Sequence, residues 1–130
     1  MRYCGIDPGL NITGYAVIDV RGRAVSVVEA GVLRPGSASQ PMADRLLRLA
    51  DAMDEMLAEC TPARVAVEAI YAHYNHPRTA IMMAHARGVI LAAAARRELV
   101  VDTYSATRIK KTLTGNGRAA KSQIQHAVMA

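Results

Sequence analysis

The sequence contains no tryptophan and no phenylalanine, and its only aromatics are five tyrosines in 130 residues. A core must therefore be filled by Val, Ile, Leu, Ala and Met, and a tyrosine set among polar residues is expected to serve contact rather than packing. Cysteine is nearly absent as well. Cys4 and Cys60 match no metal or redox spacing, so both are expected to be small buried hydrophobes. No apolar stretch approaches the length of a membrane span, and the N-terminus enters a strand-like run containing Arg2 and Asp7 instead of a signal peptide. No membrane association is expected, and a reducing cytoplasm is the expected location. There is no internal repeat, and no low-complexity segment beyond the alanines at 92 to 95, which helix propensity explains.

What is present describes one globular domain over residues 1–130. Hydrophobic residues make up 52% and charged residues 21%, which excludes the disordered class. A chain of this length buries roughly two thirds of its unfolded surface. The net charge is +5 and unevenly spread. Residues 1 to 68 carry nine acids against seven Lys or Arg, whereas residues 69 to 130 carry two acids, Glu98 and Asp102, against nine bases. A basic half suggests a polyanionic partner, although a merely soluble basic surface has the same charge.

Residues 2 to 7 read as a strand closed by the turn pair Pro8-Gly9. Two more strands follow at 13 to 20 and 24 to 33, joined by a turn at Arg21-Gly22-Arg23, so an antiparallel meander is expected. After the loop 35 to 41, apolar residues from Met42 to Ala58 recur at spacings of three and four, with Asp44, Arg45, Arg48, Asp51, Asp54 and Glu55 mostly on the opposite face of a helix. Thr61-Pro62 ends it. A buried strand is predicted at 64 to 70, a helix from about 77 to 97 with Pro77 at its first position, and a fifth strand at 99 to 104. Helices are further predicted at 106 to 113 and from Ala119, the last with no stop signal before Ala130. The fold class is α/β: a mixed five-stranded sheet, three strands antiparallel and then parallel strands, flanked by helices.

Two carboxylates sit where apolar strands should not carry charge: Asp7 after Cys4-Gly5-Ile6, and Glu68 after Val65-Ala66-Val67. With strands 1 and 4 parallel neighbours, both emerge at the C-terminal edge of the sheet, where open α/β sheets place their sites. Paired carboxylates repel unless a cation lies between them, and oxygen ligands without His or Cys favour Mg2+, with Mn2+ possible in its place. Taken singly, each residue is also explained as a strand end in solvent. Gly5 and Gly9 remove side chains beside Asp7, so a bulky backbone can approach. A second constellation is basic: all three lysines, Lys110, Lys111 and Lys121, fall within twelve positions beside Arg108 and Arg118. They suit phosphate contacts or a solvated basic face. His73, His76, His85 and His126 form no ligand spacing.

Gly5-Ile6-Asp7-Pro8-Gly9, Thr13-Gly14-Tyr15, Val67-Glu68 with Tyr71 and Asn75, Ala86-Arg87-Gly88, and Lys121-Ser122-Gln123-Ile124-Gln125-His126 together resemble the RuvC family of crossover-junction endonucleases, in order from end to end. The resemblance implies an RNase H-like fold, a homodimer on four-way (Holliday) junction DNA, branch-migration proteins as partners, and two-metal phosphodiester hydrolysis in recombination and repair. It makes Asp7 and Glu68 the catalytic and metal residues, with Asp7 bridging two Mg2+ ions. The expected DNA-contacting set is Tyr71, Asn75, Arg78, Lys110, Lys111, Arg118 and Lys121. Lys110 and Lys121 match family positions near the scissile phosphate, and Tyr71 matches an aromatic that stacks on an unpaired base. The family adds an acidic pair, or an acid and a histidine, on a later helix. Here no Asp or Glu follows Asp102, so the domain is expected to be truncated at its C-terminus and the chain as given weak or inactive in cleavage. A junction-binding module without cleavage is the alternative, and an actin-like ATPase or sugar kinase is a rival that would need a second phosphate loop.

Overall fold

The computed structural model describes residues 1–70 and 76–105. Over these the order is β1 (Arg2–Asp7), β2 (Thr13–Arg21), β3 (Ala24–Leu33), α1 (Met42–Cys60), β4 (Arg64–Glu68), α2 (Pro77–Arg96) and β5 (Val100–Tyr104). The strands form one sheet in the order β3-β2-β1-β4-β5. β1 to β3 pair antiparallel, and β4 joins β1 and β5 in parallel, as the helical crossovers require. The expected mixed sheet is what forms. The helices predicted at 106 to 113 and from Ala119 lie outside the described residues.

Alternation in the strands decides which face is covered. Cys4 and Ile6 of β1, Val17 of β2 and Val65 and Val67 of β4 are buried on one face. Against them pack Leu49, Met53, Met56, Leu57 and Cys60 of α1 and Ala86, Ile90, Ala93 and Ala94 of α2. The small buried residues of α2 pack against α1 and the sheet in one cluster, and the core closes without Phe or Trp. Both cysteines are buried and free. Burial pushes the Cys4 thiol up to about 12, so it stays protonated at neutral pH and behaves as a hydrophobe.

β4 was expected to reach residue 70 and ends at Glu68. Its partner β5 ends at Tyr104, directly opposite Glu68, and one last bond from the Ala69 N–H to the Tyr104 carbonyl closes the ladder. α1 runs to Cys60, with Thr61 in the left-handed region at φ 45°, and Pro62 prevents further turns.

Two ion pairs staple neighbouring strands. Arg2 grips Asp19 through Nε at 2.8 Å and Nη2 at 3.1 Å, while its Nη1 donates to the Cys60 carbonyl at 2.8 Å. Arg64 holds Asp102 in the same two-pronged way at 3.1 and 3.0 Å. The guanidinium hydrogen bonds hold both carboxyls below the usual value of 3.8. A carboxyl whose folded-state pKa is depressed stabilises the fold above its unfolded pKa, and that contribution is lost as pH falls through the folded value. The stability advantage of the wild type over an Asp19→Asn/Asp102→Asn double variant should therefore be complete at pH 6 and shrink below about pH 4. Urea melts at pH 6 and pH 3 measure it; an advantage independent of pH would exclude the pairs as its source.

Candidate metal and nucleic-acid site

The parallel register of β1 and β4 runs Tyr3 to Arg64, Cys4 to Val65, Gly5 to Ala66 and Ile6 to Val67. The next step places Asp7 beside Glu68, about 5 Å across the sheet. Both lie on the face opposite the α1 and α2 core, because Cys4, Ile6, Val65 and Val67 point to the helices and the intervening residues point away. The row continues to Gly14 on β2 and Tyr104 on β5, which pair with Asp7 and Glu68. The two carboxylates singled out in the sequence are thus side by side at the C-terminal edge of the central strands.

A depression of about 450 Å³ opens beside them, lined by Gly5, Gly14, Ala16 and Ala66 with Asp7, Glu68, Tyr15 and Tyr104. The small residues make the space. Among the described residues, a Cβ added at Gly5 would meet nothing within 4 Å. Glu68 is half-buried and Asp7 exposed. Among the described residues no three His, Cys, Asp or Glu gather into a larger cluster, so the local donor set is two hard carboxylates. That set fits Mg2+ or Mn2+, which keeps several waters when protein ligands are few.

Asp7 borders a second depression of about 550 Å³ on the helix side of the strand end, shared with the Pro8–Ile12 turn, Arg45 of α1 and Arg78, Thr79, Met82 and Met83 of α2. Pro77 starts α2 where a missing N–H costs nothing, and this sets Arg78, exposed to solvent, beside the turn that carries Asp7. Of the residues expected to touch DNA, Arg78 is the one that falls among the described residues. Tyr71, Asn75, Lys110, Lys111, Arg118 and Lys121 lie outside them.

The turn itself is tightly held. The buried Thr13 hydroxyl donates to the Gly9 carbonyl at 2.7 Å and accepts from the Gly9 N–H at 3.1 Å. Arg45, expected among the solvent-facing residues of α1, is instead 2% exposed. Its Nη2 donates to the Leu10 carbonyl at 3.2 Å and to Asn11 Oδ1 at 2.7 Å. Arg87 of α2 serves the other strand: Nε donates to the Glu68 carbonyl at 3.2 Å and Nη2 to Thr103 Oγ1 at 3.1 Å. Thr13 and Arg87 stand in the motifs that carry the family resemblance without a role of their own being expected of them, whereas Arg45 was expected in solvent. A signal for Arg45 existed, since it lies four residues before Leu49 in the apolar stripe. Arg87 carried none that periodicity could distinguish from a surface arginine.

A family model described as crossover junction endodeoxyribonuclease RuvC matches residues 3–130. A protein of that name from Rhodopirellula baltica is 49% identical over 124 residues, spanning 95% of this chain and 69% of its own length. Among solved structures, that of T. thermophilus RuvC in complex with a Holliday junction substrate superposes with a TM-score of 0.88 at 30% identity, covering 98% of this chain and 77% of that one. The yeast mitochondrial Holliday junction resolvase Ydc2, at 12% identity and a TM-score of 0.66 over 98% of this chain and 62% of that one, shares the fold.

Proposed function

The chain belongs to the family of the crossover junction endodeoxyribonuclease RuvC, and from that premise we propose that it is a structure-specific nuclease that cuts four-way DNA junctions in recombination and repair. The observation that carries this reading is the pairing of Asp7 and Glu68 at the edge of an RNase H-like sheet, above a floor of small residues. Asp7 and Glu68 would both serve as ligands to Mg2+ there, whether one ion binds or two. The bound metal supplies charge neutralisation at the phosphodiester and a more acidic water.

The chain's own residues do the positioning. Gly5, Gly14, Ala16 and Ala66 leave room for a sugar-phosphate backbone to lie against the carboxylates. Thr13 holds the turn behind Asp7, and Arg87 ties the end of β4 to β5, so neither carboxylate drifts from the other. Preorganisation of this kind is where much of an active site's catalytic effect resides. Arg78, Lys110, Lys111, Arg118 and Lys121 contact phosphates, Asn75 joins them in contacting DNA, and Tyr71 stacks on an unpaired base at the junction centre. A homodimer matches the two-fold symmetry of the substrate. Cooperation with branch-migration proteins and action in the cytoplasm follow from the same family likeness; among the described residues no helix is long and apolar enough to cross a membrane.

A junction-binding module without cleavage leaves the carboxylate pair without a purpose, which is why the nuclease reading is preferred. The two are separated by titrating a labelled four-way junction and the matched duplex, then adding Mg2+ or Mn2+. Tighter binding to the junction and incision at defined positions are expected, and binding without incision in either metal would favour the module. If the five basic residues each neutralise one phosphate, the slope of log K against log salt should be roughly −4 to −5, and Lys110→Ala/Lys121→Ala should reduce it by about 2. A slope unchanged in that variant would remove both lysines from the interface.

A further inference from the structure

Arg45 is a buried cation that, among the described residues, has no carboxylate in its grasp. Among the described residues its hydrogen-bond partners are neutral, the Leu10 carbonyl and Asn11 Oδ1, and its Nε has none. Such an arrangement is costly, because a buried charge needs compensation and an orphaned buried donor adds its own desolvation penalty. A methionine or leucine would fill the same position of the α1 stripe, between Leu49 and the turn, without either cost. Stability alone does not account for an arginine there. Its location does: Nη2 grips two successive residues at the tip of the Pro8–Ile12 turn from the helix side, while the Thr13 hydroxyl grips Gly9 from the strand side. The turn is clamped at both ends, and Asp7 is the residue immediately before it.

We propose that Arg45 is a positioning residue for Asp7: its guanidinium fixes the Leu10–Asn11 tip so that the Asp7 carboxylate stays level with Glu68 and ready to bind a divalent cation. This inference rests on the reading of Asp7 as a metal ligand and goes beyond it by assigning the support to α1. It makes a prediction of unusual sign. A positive charge near a metal site repels the ion, so if Arg45 acted only through its charge, removing it would tighten metal binding. If it acts by holding the turn, removing it weakens metal binding, as loss of a supporting residue commonly does by about tenfold or more.

The test is Mn2+ binding followed by loss of the free-ion electron paramagnetic resonance signal, in wild type, Arg45→Met, Arg45→Lys, Asn11→Ala and Asp7→Asn, with a thermal melt of each. Expected are a Mn2+ Kd raised about tenfold in Arg45→Met, a smaller rise in Arg45→Lys, which keeps the charge on a single donor nitrogen but not the fork, and a rise of about two- to threefold in Asn11→Ala with Tm unchanged. Asn11 is exposed, so its variant keeps the test alive if Arg45→Met does not fold. A Kd that is unchanged or tighter in Arg45→Met, or in Asn11→Ala should the former not fold, overturns the proposal. If wild type and Asp7→Asn bind Mn2+ alike, the metal reading of Asp7 fails instead. The role of Arg45 is then judged by amide hydrogen exchange over Gly9 to Thr13 in the metal-free proteins, expected about tenfold faster in Arg45→Met or Asn11→Ala; unchanged exchange rejects it.

Discussion

Asp7→Asn should lower the rate of junction incision by about 1000-fold or more, with junction affinity in metal-free buffer within about twofold of wild type and Tm within about 2 °C. The substitution keeps the shape of the side chain and removes its charge. Metal-centred stabilisation of a phosphodiester transition state is worth several kcal/mol, and about 4 kcal/mol corresponds to 1000-fold. Stability should hardly move, because Asp7 is exposed and, among the described residues, no hydrogen bond or ion pair engages its carboxylate. Removing one of two neighbouring negative charges relieves repulsion with Glu68 in the metal-free protein. Glu68→Gln is a less clean probe, since Glu68 has further contacts of its own. Single-turnover cleavage of a labelled four-way junction, read beside a gel shift and a melt, decides the matter. Incision within tenfold of wild type would show that Asp7 is not a ligand of the reacting centre.

Gly9→Ala is the second large effect, this time on the fold. A Cβ at Gly9 would lie 2.1 Å from the Ile12 carbonyl oxygen and 3.2 Å from its carbonyl carbon. Those are backbone atoms and cannot rotate away. The next residue, Thr13, is committed twice: it opens β2 opposite Leu33, and its hydroxyl bonds both polar groups of Gly9. Relief therefore requires the turn to open and the Thr13 bonds to break. A cost on the order of 3 kcal/mol follows, seen as a fall in Tm of roughly 10 °C. Gly5→Ala is the control. Among the described residues its Cβ meets nothing within 4 Å, so stability should stay within about 0.5 kcal/mol even though the new methyl narrows the depression beside the carboxylates. Thermal melts of the three proteins read the difference. Equal Tm values for Gly9→Ala and wild type would mean that the turn relaxes at no cost, and the argument for a rigid Asp7 support would fall with it.

The elements were legible where one force set them. Strand-forming runs bounded by Pro8-Gly9 and Arg21-Gly22-Arg23 defined β1 to β3 within a residue, and the stripe from Met42 marked α1. Asp7 and Glu68 stood out because a charge ending an apolar strand is expensive unless it serves something. Their adjacency followed from helical crossovers making β1 and β4 parallel neighbours. The exact end of β4 was not legible, because it depends on where β5 stops. Arg45 was misplaced because amphipathic patterning assigns every arginine to water, whereas a buried one is tolerated when backbone acceptors such as the Leu10 carbonyl are brought to it from 35 residues away.

From the sequence alone came the strand and helix content, the mixed sheet, the carboxylate pair and the basic second half of the chain, since all of these are written in local periodicity, turn chemistry and the cost of placing charge. Only the tertiary structure decided that Gly5, Gly14, Ala16 and Ala66 open a depression beside that pair. It likewise decided that Arg78 of α2 lines the same depression as the turn and that Arg45 and Arg87 support the two strand ends. Those contacts join residues far apart in the chain, and Arg45 and Arg87 each share their donors between one side-chain oxygen and one backbone carbonyl; a carbonyl carries the same chemistry at every position and so leaves no mark in the order of side chains.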